Sequence, residues 1–221
     1  MAPTTARDAP LPLSPPAEGL DAELAAELAA IDDAGLRRRL VPLRRAPGAT
    51  LIEADGRALV DFASNDYLGL AADARPAAAA AELLGREGIG AGAARLITGD
   101  HPLHDALERA LAALKGTERA LLFPSGYAAN VGALPALAGA GDAIYSDALN
   151  HASLIDGCRL SRAAVRVFPH ADVDALAALL DGDAGRFRRR WIVVEGVYSM
   201  DGDLAPLGPI TELARRHGAY T

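Results

Sequence analysis

The chain contains one cysteine, Cys158, and one lysine, Lys115, among its 221 residues. A lone thiol excludes an internal disulfide framework and a multi-cysteine metal centre. Any step that needs a lysine amine from this chain has one candidate. Positive charge is also scarce: 22 Lys and Arg face 29 Asp and Glu, a net charge of −7, which argues against general nucleic-acid binding. No apolar run approaches the roughly 18 residues of a membrane span, and the N-terminus has no apolar signal core. The expected setting is therefore cytoplasmic, with neither membrane nor nucleic acid as partner. What the chain does have is 51% hydrophobic residues, enough for a substantial core.

The first segment, residues 1–19, carries five prolines and is expected to be a disordered leader. Residues 20–62 read as a helix followed by a hairpin. Leu24, Leu28 and Ile31 recur at helical spacing and predict an amphipathic helix running towards Leu40. That helix would end in Arg37, Arg38 and Arg39, where cations favour the negative end of the dipole; a substrate carboxylate is their alternative partner. Thr50 to Phe62 reads as two β runs joined at Asp55-Gly56, a pair suited to a type I′ turn. From residue 63 a larger domain is expected. Asn65-Asp66 opens it in a turn-prone stretch, and an Ala-rich helix follows from Pro76 to Leu84. Gly88, Gly90 and Ala93 formally match a G-x-G-x-x-A fingerprint, but the run follows a helix instead of a strand, so dinucleotide binding is rejected and a flexible loop expected. A helix over Asp100–Lys115 stops at Gly116.

Leu121 to Asn130, LLFPSGYAAN, is the stretch on which the chain is organised. An apolar strand-like run breaks at Pro124, turns through Ser125-Gly126 and enters a helix at Tyr127. The unpaired N–H groups of such a helix start suit a phosphate or other anion, although most junctions of this kind only cap a helix. Strand, loop and helix then repeat: Asp142–Ser146, Ala164–Phe168 and Trp191–Val194 read as buried strands, with helices near Val173–Leu180 and Ile210–His217. Strands alternating with helices predict an α/β fold, a mostly parallel sheet with helices on both faces. Ligands of such sheets bind beyond the carboxyl ends of the strands, where Ser125, His151, Glu195 and Ser199 all fall. Arg186 to Arg190 reads as a solvated loop.

Five ordered motifs narrow this reading: NDYLGL from Asn65, GIGAGAARLITG from Gly88, the LLFPSGYAAN stretch, SDALNHASLIDGCRLS from Ser146, and EGVYSMDGDLAPL from Glu195. Together they resemble the α-oxoamine synthases, pyridoxal-phosphate enzymes of the aspartate-aminotransferase fold type. The resemblance implies pyridoxal 5′-phosphate as cofactor, with Gly126 and Tyr127 on its phosphate side, His151 stacked on its ring, Ser199 near it, and Glu195 a weaker candidate behind. It implies Arg37 and Asn65 on the substrate side. It further implies a homodimer that condenses an amino acid with an acyl-CoA, releasing CO2 and CoA. The nearest pattern is that of the biotin-pathway members using L-alanine and pimeloyl-CoA, with 2-amino-3-ketobutyrate CoA ligase-like enzymes as the alternative.

Two departures qualify the match. Ala91, Ala93 and Ala94 stand where the family has more Gly or Ser, and an alanine forced to positive φ would be strained. The family's Asp for the pyridine nitrogen and its Schiff-base lysine would come after Thr221. The expectation is an N-terminal fragment with an incomplete large domain, inactive by itself, or a truncated non-catalytic module that binds cofactor. Lys115, on the wrong side of the organising stretch, is not expected to substitute.

Overall fold

The computed structural model describes residues 18–46, 50–53 and 55–221, so the expected leader lies outside the described residues except for its last two. The chain divides into two compact units between Ile89 and Gly90. In the first, helix α1 (Glu18–Asp33) precedes a three-stranded antiparallel sheet of β1 (Arg44–Ala46), β2 (Thr50–Ile52) and β3 (Ala58–Val60), and then helix α2 (Ala74–Glu87). The arginine-rich β1 has no β-forming composition and was not foreseen; it pairs Arg45 with Leu51 across β2.

Two features of this unit correct the sequence reading. Helix α1 ends at Asp33, short of the arginines, because Gly35 takes the left-handed conformation (φ +67°) and the Leu36 N–H donates to Ile31 O at 3.0 Å, a helix-stopping pattern. The hairpin turn is not type I′. Gly56 is left-handed (φ +88°) and Asp55 is not, the Gly56 N–H donates to Glu53 O, and the Glu53 N–H donates to Arg57 O, as in a turn closed by a bulge glycine.

The second unit holds helix α3 (Pro102–Lys115), helix α4 (Gly126–Leu137), and parallel strands β4 (Ala143–Asp147), β5 (Ala164–Phe168) and β6 (Arg190–Val193). These are interleaved with helices α5 (Ala152–Leu160), α6 (Val173–Gly182) and α7 (Leu207–His217). The order β5-β4-β6 leaves β4 in the centre, buried at every residue. Side chains alternate across a strand, and β4 uses both faces. Ala143 and Tyr145 pack with Leu176 and Leu180 of α6 and Ile210 and Leu213 of α7; Ile144 packs on the other side with Cys158 of α5 and Leu134 of α4. The expected parallel sheet, covered on both faces, is therefore present.

Local corrections apply here too. Leu121 to Phe123 lies in no ladder; its backbone is held by side chains instead, the Leu122 N–H donating to Glu108 Oε1 at 2.8 Å and Leu122 O accepting from Arg95 at 3.5 Å. Ala91, Ala93 and Ala94 avoid positive φ, which falls on Gly88 and Gly92, so the feared strain is absent. The loop is also partly ordered, with a π-helical turn at Arg95–Gly99 in which a Cβ on Gly99 would lie 1.8 Å from Ala93 O. A two-residue-per-strand hairpin, β7 (Val197–Tyr198) and β8 (Asp203–Leu204), follows β6 and was not anticipated.

The supposed solvated loop Arg186–Arg190 carries a clamp. Arg188 makes two 2.9 Å bonds to the carboxylate of Asp142, which is fully buried and also accepts from the Gly139 N–H. The guanidinium, helped by that N–H against the cost of burial, holds the Asp142 carboxyl down at about 2. Its contribution to stability is present above the ordinary value of about 4 and is lost as pH falls through about 2. In Arg188→Met the acid limb of a denaturation profile is expected to move to higher pH. Leu176→Ala, a cavity at a fully buried position, is expected to cost about 2–5 kcal/mol by chemical denaturation.

Candidate active site

Helix α4 starts with the features its sequence promised. Ser125 is extended and its Oγ accepts from the Ala128 N–H at 3.1 Å, while Ser125 O accepts from the Ala129 N–H. The Gly126 and Tyr127 N–H groups remain at the positive end of the helix. A Cβ on Gly126 would meet nothing within 4 Å, so the space beside its Cα is open.

Helix α5 starts beside it. His151 is its N-cap, and the ring Nδ1 accepts from the Ser153 N–H at 3.1 Å. Ser153 Oγ lies 2.8 Å from the same nitrogen and accepts from Asn130 Nδ2 at 2.9 Å. A nitrogen that accepts from a backbone N–H presents a lone pair, so this geometry assigns the ring proton to Nε2. The His151 backbone N–H donates to the carboxylate of Glu195, just past the end of β6.

These groups line one cavity of about 560 Å³, with Gly126, Tyr127 and Asn130 from α4, His151, Ser153 and Leu154 from the start of α5, and Val194 to Val197 from the exit of β6. The size suits a small ligand or cofactor. Tyr127 is held by its hydroxyl, which donates to Asp156 at 2.7 Å; that bond, with burial, raises the phenol above its ordinary value.

Of the residues expected to act together, the cavity gathers Gly126, Tyr127, His151 and Glu195. Ser199 lies in the turn between β7 and β8, exposed and outside the lining set, two residues beyond Val197. Arg37 and Asn65 belong to the first unit. Arg37 pairs with Asp32 at 2.5 Å, and Asn65 lines a separate hollow of about 520 Å³ with Arg45 and Asp61. Sequence reasoning missed Asn130 and Ser153. Asn130 was findable as the residue one helical turn beyond Gly126 on the same face. Lys115, which was not expected to substitute for the Schiff-base lysine, closes α3 and is not among the residues lining the cavity.

The aminotransferase class I and II profile matches residues 57–221, and the chain belongs to this family. Within it the similarity falls on the pyridoxal-phosphate-dependent α-oxoamine synthases. The 8-amino-7-oxononanoate synthase of Anaeromyxobacter sp. (strain Fw109-5) is 56% identical over 193 residues, 87% of this chain and 48% of that protein. That of Alkalilimnicola ehrlichii is 50% identical over 204 residues, 92% of this chain and 52% of that one. Among solved structures, a serine palmitoyltransferase variant from S. paucimobilis with a bound PLP–myriocin aldimine superposes with a TM-score of 0.80 at 32% identity, covering 93% of this chain and 52% of its own. An 8-amino-7-oxononanoate synthase from Francisella tularensis gives 0.58 at 28% identity, covering 69% and 41%. The chain spans about half the length of the curated relatives it matches.

The two helix starts keep their spacing through Gly157. A Cβ there would lie 2.8 Å from both Asn130 O and Leu134 Cδ1, and the first of these is backbone. Gly157→Ala is therefore expected to push α5 off α4 and destabilise by about 1–3 kcal/mol, measured by denaturant titration.

Proposed function

We propose that this chain forms the cofactor-cradling part of a pyridoxal-phosphate-dependent acyltransferase that condenses an amino acid with an acyl-CoA and releases CO2 and CoA. The observation that carries the reading is the convergence, in one cavity, of a helix start with two free N–H groups and a histidine whose ring proton is fixed on Nε2. L-Alanine and pimeloyl-CoA are the proposed substrates, as the names of the similar synthases suggest. A homodimer in the cytoplasm is the proposed assembly, with residues 63–221 as its cofactor domain; among the described residues no helix is long and apolar enough to cross a membrane.

The residues fit the cofactor. A phosphate dianion needs N–H donors without competing acceptors, and the Gly126 and Tyr127 N–H groups meet that need. A flat imidazole suits an electron-poor ring, which His151 offers. When bound, pyridoxal phosphate supplies an electron sink for the pair released as an amino acid loses its carboxylate. The protein's part is orientation and proton control. Glu195 fixes the backbone of His151, Ser153 and Asn130 keep the ring proton on Nε2, and Asp156 holds the Tyr127 ring at the cavity wall. Ser199 is proposed as a further hydroxyl near the cofactor, and Arg37 and Asn65 as contacts to the substrate. A second reading, with serine as the amino acid, is favoured by the structural likeness to serine palmitoyltransferase. Product analysis with alanine, serine and glycine offered together separates the two.

Gly126→Pro tests the cradle. Proline is tolerated at a first helical position and removes one N–H aimed at the phosphate. The variant is expected to keep its circular dichroism and bind pyridoxal phosphate about 10–100-fold more weakly, the value of one hydrogen bond to a charged group. Lys115→Ala is expected to leave that affinity unchanged. Unaltered binding in Gly126→Pro would overturn the phosphate assignment.

A further inference from the structure

Behind the cavity lies a cluster that the proposed reaction does not use. His170, in the loop after β5, stands between two carboxylates: its Nδ1 is 3.0 Å from Asp147 Oδ1 and its Nε2 is 2.7 Å from Asp203 Oδ2. Asp147 ends the central strand β4 and its side chain is buried; Asp203 begins β8 in the small hairpin. An ionised carboxylate only accepts hydrogen bonds, so with both carboxylates ionised the two bonds exist together only when both ring nitrogens carry protons, that is, with the ring as an imidazolium.

The surroundings are arranged for that bridge. Asp147 also accepts from the Leu149 N–H at 2.8 Å and from the Ala171 N–H at 2.9 Å, and Ala171 is held in the left-handed region (φ +53°), a strained choice for a residue with a Cβ. Tyr198 of β7 meets the imidazole ring edge-on, with centroids 4.4 Å apart. Asp203 Oδ1 is buried with no hydrogen-bond partner, so the bond to His170 through Oδ2 is what holds this carboxylate. A hairpin with two residues per strand is marginal by itself and depends on such anchors.

We propose that His170 is a positioning residue, a protonation-dependent clamp that holds the β7–β8 hairpin, and with it the Val197 wall of the cavity and Ser199, against the end of β4. The proposal rests on the cofactor-site reading above only for its functional consequence; the clamp is testable without cofactor. The groups facing the ring are Asp147 from β4, Asp203 from β8 and the Tyr198 phenol from β7, the last pushed up to about 12 by burial and so neutral throughout. Asp172, at the start of α6, is occupied in capping the Ala175 N–H. With the proton the cluster carries one net negative charge. Without it two carboxylates face a neutral ring that can donate to only one of them, and the partly exposed Asp203 is released. The bond to Asp147 first, and then that to Asp203, raise the imidazole above the ordinary value of about 6.5. The clamp is therefore complete below that value and is lost as pH rises through the folded one.

Amide hydrogen exchange of the cofactor-free chain, corrected for intrinsic rates, tests this alongside an NMR titration of His170. Exchange at Tyr198–Leu204 is expected to rise about tenfold across a step whose midpoint equals the His170 titration and lies above about 6.5. In Asp203→Asn that midpoint is expected to fall. In His170→Phe, which keeps a ring against Tyr198, the step is expected to vanish and the hairpin to exchange fast at every pH. A wild-type hairpin with pH-independent protection, or a step that persists in His170→Phe, would overturn the proposal. Should His170→Phe fail to fold, the midpoint shift in Asp203→Asn alone decides. Failure of pyridoxal phosphate to bind would refute the function proposed above and leave these exchange results standing.

Discussion

Two helices, α4 and α5, cross at Gly157, which has no side chain of its own to hold them apart, and the geometry of the candidate site depends on that contact. The carbonyl of Asn130 occupies the space a Cβ on Gly157 would need. The side chain of the same Asn130 reaches Ser153, which in turn sets the tautomer of His151. One residue of α4 thus controls both how near α5 comes and which nitrogen of its N-cap histidine bears the proton. Because helices are stiff over two or three turns, the spacing fixed at the crossing is carried to both N-termini, where the cavity-lining groups lie.

The loop between β4 and α5 is pinned from its other side by polar bonds. Asn150 donates to Ser146 Oγ at 2.9 Å and to Val193 O at 2.7 Å, tying the exits of β4 and β6 together. Glu195, two residues further along the β6 exit, takes the next backbone N–H, that of His151. Buried polar bonds of this kind contribute little net stability each, yet leaving one unmade is costly, so they select one loop conformation among many. Packing sets the distance between the helix starts, and hydrogen bonding sets the direction of the groups on them.

This division explains what could be read from sequence. Patterns local in the chain were legible: the run Ala164–Phe168 matches β5 residue for residue, and Gly116 ends α3 as a C-terminal glycine should. Gly35 carried the same signal for α1, but the apolar spacing continuing through Leu36 and Leu40 outweighed it. Long-range partners were not legible. Nothing near Arg188 marks Asp142, 46 residues away, as its partner, and nothing near His170 points to Asp147 or Asp203. The hairpin β7–β8 is too short for a period-2 pattern to register. Leu121–Phe123 has the composition of a strand, but a strand is defined by its neighbour, and the partners its backbone finds here are Arg95 and Glu108.

The proposed site also bears on an apparent conflict between a chain of net charge −7 and a phosphate-bearing cofactor. Among the described residues no arginine lines the cavity, and several that could have done so are engaged elsewhere: Arg95 with Asp100 and Glu108, Arg166 and Arg186 with Asp183, Arg188 with Asp142. The positive potential at α4 comes from aligned peptide dipoles and unpaired N–H groups, which act within about a turn of the helix end. An anion bound at this helix start would be recognised by contact geometry instead of being drawn in by a long-range field, and the acidic surface would impose little penalty once the ligand was seated. Under the proposed function, the placement of Gly126 and Tyr127, and with it the close crossing at Gly157, is then the feature on which affinity would turn.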